Sequence, residues 1–270
     1  METKNNPYLL PGAIVVAGII IAVGIAYQPS GDSTKVVSQK AQIQKVELPV
    51  TWGDLSSKLV SAGVIDTDKF KVNTTRSDGK LEITNENQGL LLNLFWALGL
   101  ASKNPILESG EMTNPKYGGA GNFASTGGWT IAQGNAMDHY SRHKFFDLTP
   151  EQQALIDKVS RGIYRPCCGN STHFPDCNHG MAMLGLLELM ASQGVSEQDM
   201  WKTALVVNSY WFLDTYLTIA SYMKGKGIEW KDVNPQEILG KNYSSAQGYA
   251  RIAAQVQVTQ PQRQQSGCGI

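Results

Sequence analysis

Three of the four cysteines and two of the four histidines of this 270-residue chain stand in thirteen consecutive positions. The segment reads Cys167-Cys168-Gly169-Asn170-Ser171-Thr172-His173-Phe174-Pro175-Asp176-Cys177-Asn178-His179. Thiol and imidazole groups this close together bind a metal ion, pair as a disulfide or carry out thiol chemistry. Adjacent cysteines such as Cys167 and Cys168 rarely bond to each other, because the resulting ring is strained. Both can instead face a third group, a metal ion or Cys177. Cys177 and His179 stand at the expected start of a helix, with Pro175 and Asp176 as its opening signals. Backbone N–H groups and the helix dipole at such a start favour a thiolate over a thiol. Cys167, Cys168, Cys177 and His179 together make a Cys3His set, a common composition for tetrahedral zinc.

A second pair adds to these. His139 and His143 are four apart, a spacing that puts both imidazoles on one face of a helix, as paired metal ligands require. All four histidines therefore fall between positions 139 and 179. Taken singly, His139 and His143 also fit ordinary packing or surface roles, and His173 fits either reading. The metal set is Cys167, Cys168, Cys177 and His179, with His139 and His143 as further candidates.

Zinc and copper suit these donors best. The Cys-Cys pair departs from the CxxC spacing of most zinc loops. Copper(I) favours thiolate with thioether, and Met181 and Met183 follow the site, although core packing explains them more simply. An iron–sulfur cluster fits less well, since the spacing matches no common cluster pattern. Covalent c-type haem is excluded, because no CxxCH occurs. A vicinal pair also suits mercury or arsenic, with Cys268 near the C-terminus as a delivery thiol. Two readings need no permanent metal. In one, Cys177 is the nucleophile of a thiol enzyme or redox protein, with Asp176 and His179 beside it. In the other, a disulfide from Cys167 or Cys168 to Cys177 staples a binding or scaffold domain.

The elements that position these residues read as mostly helical. Thr51-Trp52-Gly53-Asp54 looks like a helix start, with Leu55, Leu59 and Val60 as its buried stripe and Gly63 beyond its end. Asn85 and Gln88 cap an apolar run from Leu90 to Ala101 that Pro105 stops. Residues 113 to 134 hold six glycines and form a long loop that lacks the lysine of a phosphate loop. Thr149-Pro150-Glu151-Gln152 opens the helix that leads into the cysteines, with Ala154, Leu155, Val159 and Ile163 facing inward. Met181 to Met190 is apolar all round except for Glu188, the pattern of a central helix. Gly194 ends it, and Ser196 opens a last long helix running to about Met223.

Ahead of this domain, Tyr8 to Tyr27 carries no charge and is long enough to span a bilayer. The expected order is a short head at 1–7, a transmembrane anchor at 8–27, a linker at 28–46, a helical domain at 47–257 and a flexible tail at 258–270. A single-pass anchor with an extracytoplasmic domain follows, although the lysines before and after the span do not themselves dictate that orientation. Gly18, Ala22 and Ala26 repeat at four-residue spacing, a face through which the anchor can self-associate as a homo-oligomer. Lys plus Arg and Asp plus Glu both number 23, and no basic run occurs, which argues against nucleic acid as a partner. No protein partner can be read from the chain.

Overall fold

The computed structural model describes residues 45–256. The expected head, anchor and most of the linker lie outside them, as does the tail with Cys268. The described chain is a helical domain with one small sheet. Strand β1 spans Val46–Gly53 and pairs antiparallel with β2, Ser77–Ile83, in the register Val46 to Ile83 and Thr51 to Lys80. Helices follow in the order α1 Leu55–Ser61, α2 Gln88–Ala101, α3 Pro105–Ser109, α4 Ala124–Gly127, α5 Ala136–His139 and α6 Pro150–Gly162. Then come α7 Asn178–Ser192, α8 Glu197–Trp211, α9 Leu213–Gly225, α10 Pro235–Leu239, α11 Lys241–Ser244 and α12 Ala246–Ala253.

The sheet corrects the mostly helical expectation, which held no strand. Val46, Leu48, Val50 and Trp52 alternate along β1 and are all buried. That is the period of a strand with one face on the core. Residues expected to open a helix therefore end a strand, and Gly53 turns the chain with φ +60° into Asp54, the N-cap of α1.

The membrane expectation is also corrected. Among the described residues no helix is long and apolar enough to cross a membrane. The most apolar helices reach only 15 residues, about 22 Å of rise against about 30 Å of hydrocarbon. The expected span at 8–27 lies outside the described residues, and a single-pass membrane protein with an extracytoplasmic domain finds no support among them. The self-association face at Gly18, Ala22 and Ala26 falls outside the described residues.

Helix α7 is the centre of the fold, and residues 180 to 191 are all buried. Helix α2 crosses it at backbone contact. A Cβ on Gly99 would stand 2.1 Å from the Met181 carbonyl oxygen, and one on Gly185 would stand 2.3 Å from that of Phe95. No side chain fits at either position, so the two glycines fix how closely the helices approach. The N-cap of α2 is Asn87 rather than the expected Asn85.

Two further boundaries differ from the sequence reading. Thr149 caps α6 through a capping box with Gln152, but Ile156, Val159 and Ser160 form its buried face and Ala154 is exposed. The long last helix is broken. Phe212 leaves helical geometry (φ −129°, ψ 50°) between α8 and α9. Its ring and that of Trp211 instead pack against His179, with centroids 4.5 and 5.7 Å away.

Glu188 is buried on α7 and takes a hydrogen bond from the Asn104 side chain. Burial pushes its carboxyl up to about 8, although the hydrogen bond from Asn104 pulls the other way. In the folded protein Glu188 therefore keeps its proton at neutral pH, while the unfolded chain loses it in the usual carboxyl range. The stabilisation is complete below that range and is lost as pH rises towards 8, by about 1.4 kcal/mol per pH unit in the window. Melting curves from pH 5 to pH 9 should show a steeper fall in Tm for the natural protein than for Glu188→Gln. Parallel curves would contradict this assignment.

Candidate metal centre

The segment from Tyr164 to Cys177 joins α6 to α7 and is tied down along its length by backbone hydrogen bonds. Thr172 N–H donates to the Ile163 carbonyl at 2.7 Å and His173 N–H to that of Ser160 at 3.1 Å. Ala246 N–H, at the head of α12, reaches the Cys168 carbonyl at 2.9 Å. Ser125 N–H, from the glycine-rich loop, reaches the Asp176 carbonyl at 3.2 Å. That loop is a series of short turns, and it packs on the cysteine segment through aromatic rings. Tyr117, Phe123 and Phe174 lie within 5.4 Å of one another, centroid to centroid.

These ties bring the thiols together. Cys167 Sγ and Cys177 Sγ are 3.6 Å apart. One group of ligand atoms lying within 4.8 Å of one another is Cys167, Cys177 and His179; a second is Cys168, Asp176 and Cys177. Cys177 belongs to both. Two sulfurs bound to one ion at about 2.3 Å and at the tetrahedral angle stand about 3.8 Å apart. The observed separation fits that edge and is far from the roughly 2.0 Å of a disulfide. His179 Nδ1 is buried and has no hydrogen-bond partner. An imidazole nitrogen left without a partner beside two sulfurs suits a metal ligand, because an unsatisfied buried polar atom is otherwise costly. The cluster of Cys167, Cys168, Cys177 and His179 could hold a metal ion.

A buried cation stands beneath it. Arg165 is fully buried, and its Nη2 donates to Asp176 Oδ1 at 2.6 Å and to the Phe174 carbonyl at 3.3 Å. Asn170 Nδ2 holds the other carboxylate oxygen at 2.8 Å. Arg165 fits below the first turn of α7 only because residue 180 is glycine, since a Cβ there would stand 2.6 Å from the guanidinium carbon. Arg165 Nε and Nη1 make no hydrogen bond, so the charge is balanced by the carboxylate and the sulfurs around it. Cys177 is the N-cap residue of α7. Hydrogen bonds from the Cys167 and Cys168 thiols hold its sulfur well below the ordinary thiol range, with the Arg165 charge and His179 acting in the same direction. Cys167 is held above that range by its hydrogen bonds to Cys168 and Cys177. Within the cluster, negative charge is therefore favoured on Cys177 over Cys167.

The other histidines are engaged elsewhere. His139 Nδ1 and His143 Nε2 share a hydrogen bond of 3.2 Å, and His139 Nε2 meets the Gln133 carbonyl at 2.9 Å. Burial and its neighbour His139 lower the pKa of His143. Neither belongs to a group of three or more candidate ligands among the described residues. His173 pairs with Asp157 at 2.9 Å. Met181 and Met183 lie in the hydrophobic core. Arg165 escaped sequence reasoning: a single basic residue two before Cys167 carries no mark of burial, and only Gly180 at the start of an apolar helix hints at the space it fills.

No protein-family model, curated protein or solved structure matches this chain.

Removing the charge of Arg165 leaves Asp176 and the Cys177 sulfur without their counter-ion. Arg165→Met should destabilise the domain by about 3–5 kcal/mol, the cost of breaking one side of a buried ion pair. In reduced, metal-free protein it should also move the pH midpoint for alkylation of Cys177 upward. An unchanged alkylation profile in folded Arg165→Met would show that the guanidinium does not act on the sulfur.

Proposed function

We propose that the protein is a metal-handling protein that holds one zinc ion on Cys167, Cys168, Cys177 and His179. The observation that carries this reading is the 3.6 Å separation of Cys167 and Cys177, with a ring nitrogen of His179 within 4.8 Å of both sulfurs. Three thiolates and one imidazole match the donors zinc prefers. Placing Met181 and Met183 in the core removes the thioethers that favoured copper(I). The buried guanidinium offsets the surplus negative charge that three thiolates bring to a divalent ion.

Metal handling is favoured over a purely structural staple by the way the loop is held. Its backbone bonds to Ile163, Ser160, Ala246 and Ser125 and the Arg165–Asp176 pair do not pass through the ion. Cys167 is an exposed residue and Cys168 and Cys177 are half-buried, so the cluster lies near the surface, where an ion can arrive and leave. A second reading, thiol chemistry at Cys177 without a resident metal, is favoured by one observation: Cys177 sits at the N-terminus of α7 over a buried cation.

Metal analysis of the full chain, purified under reducing conditions and offered one equivalent of zinc, tests the proposal. The expected result is one zinc per chain. Cys177→Ser should abolish the binding, and chelation should leave the helical circular dichroism largely intact while lowering Tm modestly. A chain that holds no zinc, and whose cysteines resist alkylation until reductant is added, would favour the disulfide. Global unfolding on chelation would make the ion a structural staple.

A further inference from the structure

Two of the four proposed ligands are also placed to react with each other. Cys167 Sγ and Cys177 Sγ need to approach by only about 1.6 Å to reach bonding distance. Ten positions separate them, so the closed loop avoids the strain of a Cys167–Cys168 bond. Cys167 is exposed, which lets a small oxidant reach the pair. Cys177 lies at the N-cap of α7, where the chain is fixed by the Asp176 contact to Arg165, so its sulfur is held facing Cys167. Cys168 faces Asp176 Oδ1 at 3.9 Å, which leaves Cys167 as the partner closest to Cys177.

We propose that Cys167 and Cys177 form a peroxide-driven disulfide that expels the bound ion, so that the site releases its metal under oxidation and reloads on reduction. This rests on the metal reading of the same site. The sulfur of Cys177 attacks one oxygen of hydrogen peroxide and the O–O bond breaks. The departing hydroxide takes up a proton and leaves as water, and Cys177 becomes a sulfenic acid. The sulfur of Cys167 then attacks that of Cys177, the S–O bond breaks, and a second water leaves. Two metal-bound thiolates, one peroxide and two protons from solvent give one disulfide, two waters and the released ion. A soluble dithiol reverses the reaction by exchange. The disulfide removes two of four ligands in one event, and Cys168 with His179 cannot complete a tetrahedral site alone. The backbone need not unfold, because its hydrogen bonds from Thr172, His173, Ala246 and Ser125 do not involve the sulfurs.

The test uses full-length reduced protein carrying Cys268→Ser, loaded with zinc and titrated with hydrogen peroxide beside a chromogenic chelator. Non-reducing peptide mapping follows each step. The expected result is one zinc released for each Cys167–Cys177 disulfide formed, with dithiothreitol restoring full zinc binding. Zinc kept at full occupancy through the titration would overturn the switch and leave the metal reading standing. Zinc released only as sulfinic or sulfonic acid accumulates would overturn it too. Reduced protein that never takes up zinc would remove the metal reading and the switch with it. In Cys167→Ser, Cys177 should stop at a sulfenic acid that dimedone traps. Should that variant fail to fold, the linkage map of the parent protein decides alone.

Discussion

A guanidinium sealed inside the domain sets the conditions for the site. Arg165 has no access to solvent, and a buried charge is tolerated only where opposite charge meets it. Asp176 supplies part of that charge through a 2.6 Å contact, and the sulfur of Cys177 supplies more. The positive end of α7 points at the same place. Two sources of positive potential therefore converge on a cluster of three thiols, and they stabilise anionic sulfur there. Gly180 makes the arrangement sterically achievable. The electrostatic character of the cluster is in this sense a consequence of one buried ion pair.

The rest of the fold holds that pair in place. Backbone contact between Gly99 and Gly185 locks α7 against α2, so the N-terminus of α7 is a fixed point. The break at Phe212 turns two aromatic rings onto His179 and orients its imidazole towards the sulfurs. The glycine-rich loop contributes a backbone donor to Asp176 and two rings to Phe174. Parts of the chain that are distant in sequence thus each fix one coordinate of the cluster. The geometry is determined before any ion arrives, which lowers the ordering cost of binding one.

Part of this was legible in the sequence. The density of Cys and His residues between 167 and 179 marks the site, and the capping chemistry of Thr149 and Gln152 marks the start of α6. Strand β1 left a trace, the alternation of Val46, Leu48, Val50 and Trp52, but the helical reading passed over it because Gly53 and Asp54 look equally like a helix start. The pairing of His139 with His143 follows their spacing, yet their partners are each other and Gln133. What one sequence cannot convey is which polar residue a distant segment buries. The burial of Arg165, the proton on Glu188 and the break at Phe212 are all imposed by tertiary contacts, and local propensity does not foresee them.

The central claim is that three sulfurs and one imidazole share one ion. Zinc-edge X-ray absorption on the reduced full chain, loaded with a single equivalent of zinc, reports that shell directly. The account predicts three sulfurs at about 2.3 Å and one nitrogen at about 2.0–2.1 Å. A shell of nitrogen and oxygen alone, or one with a single sulfur, would contradict it.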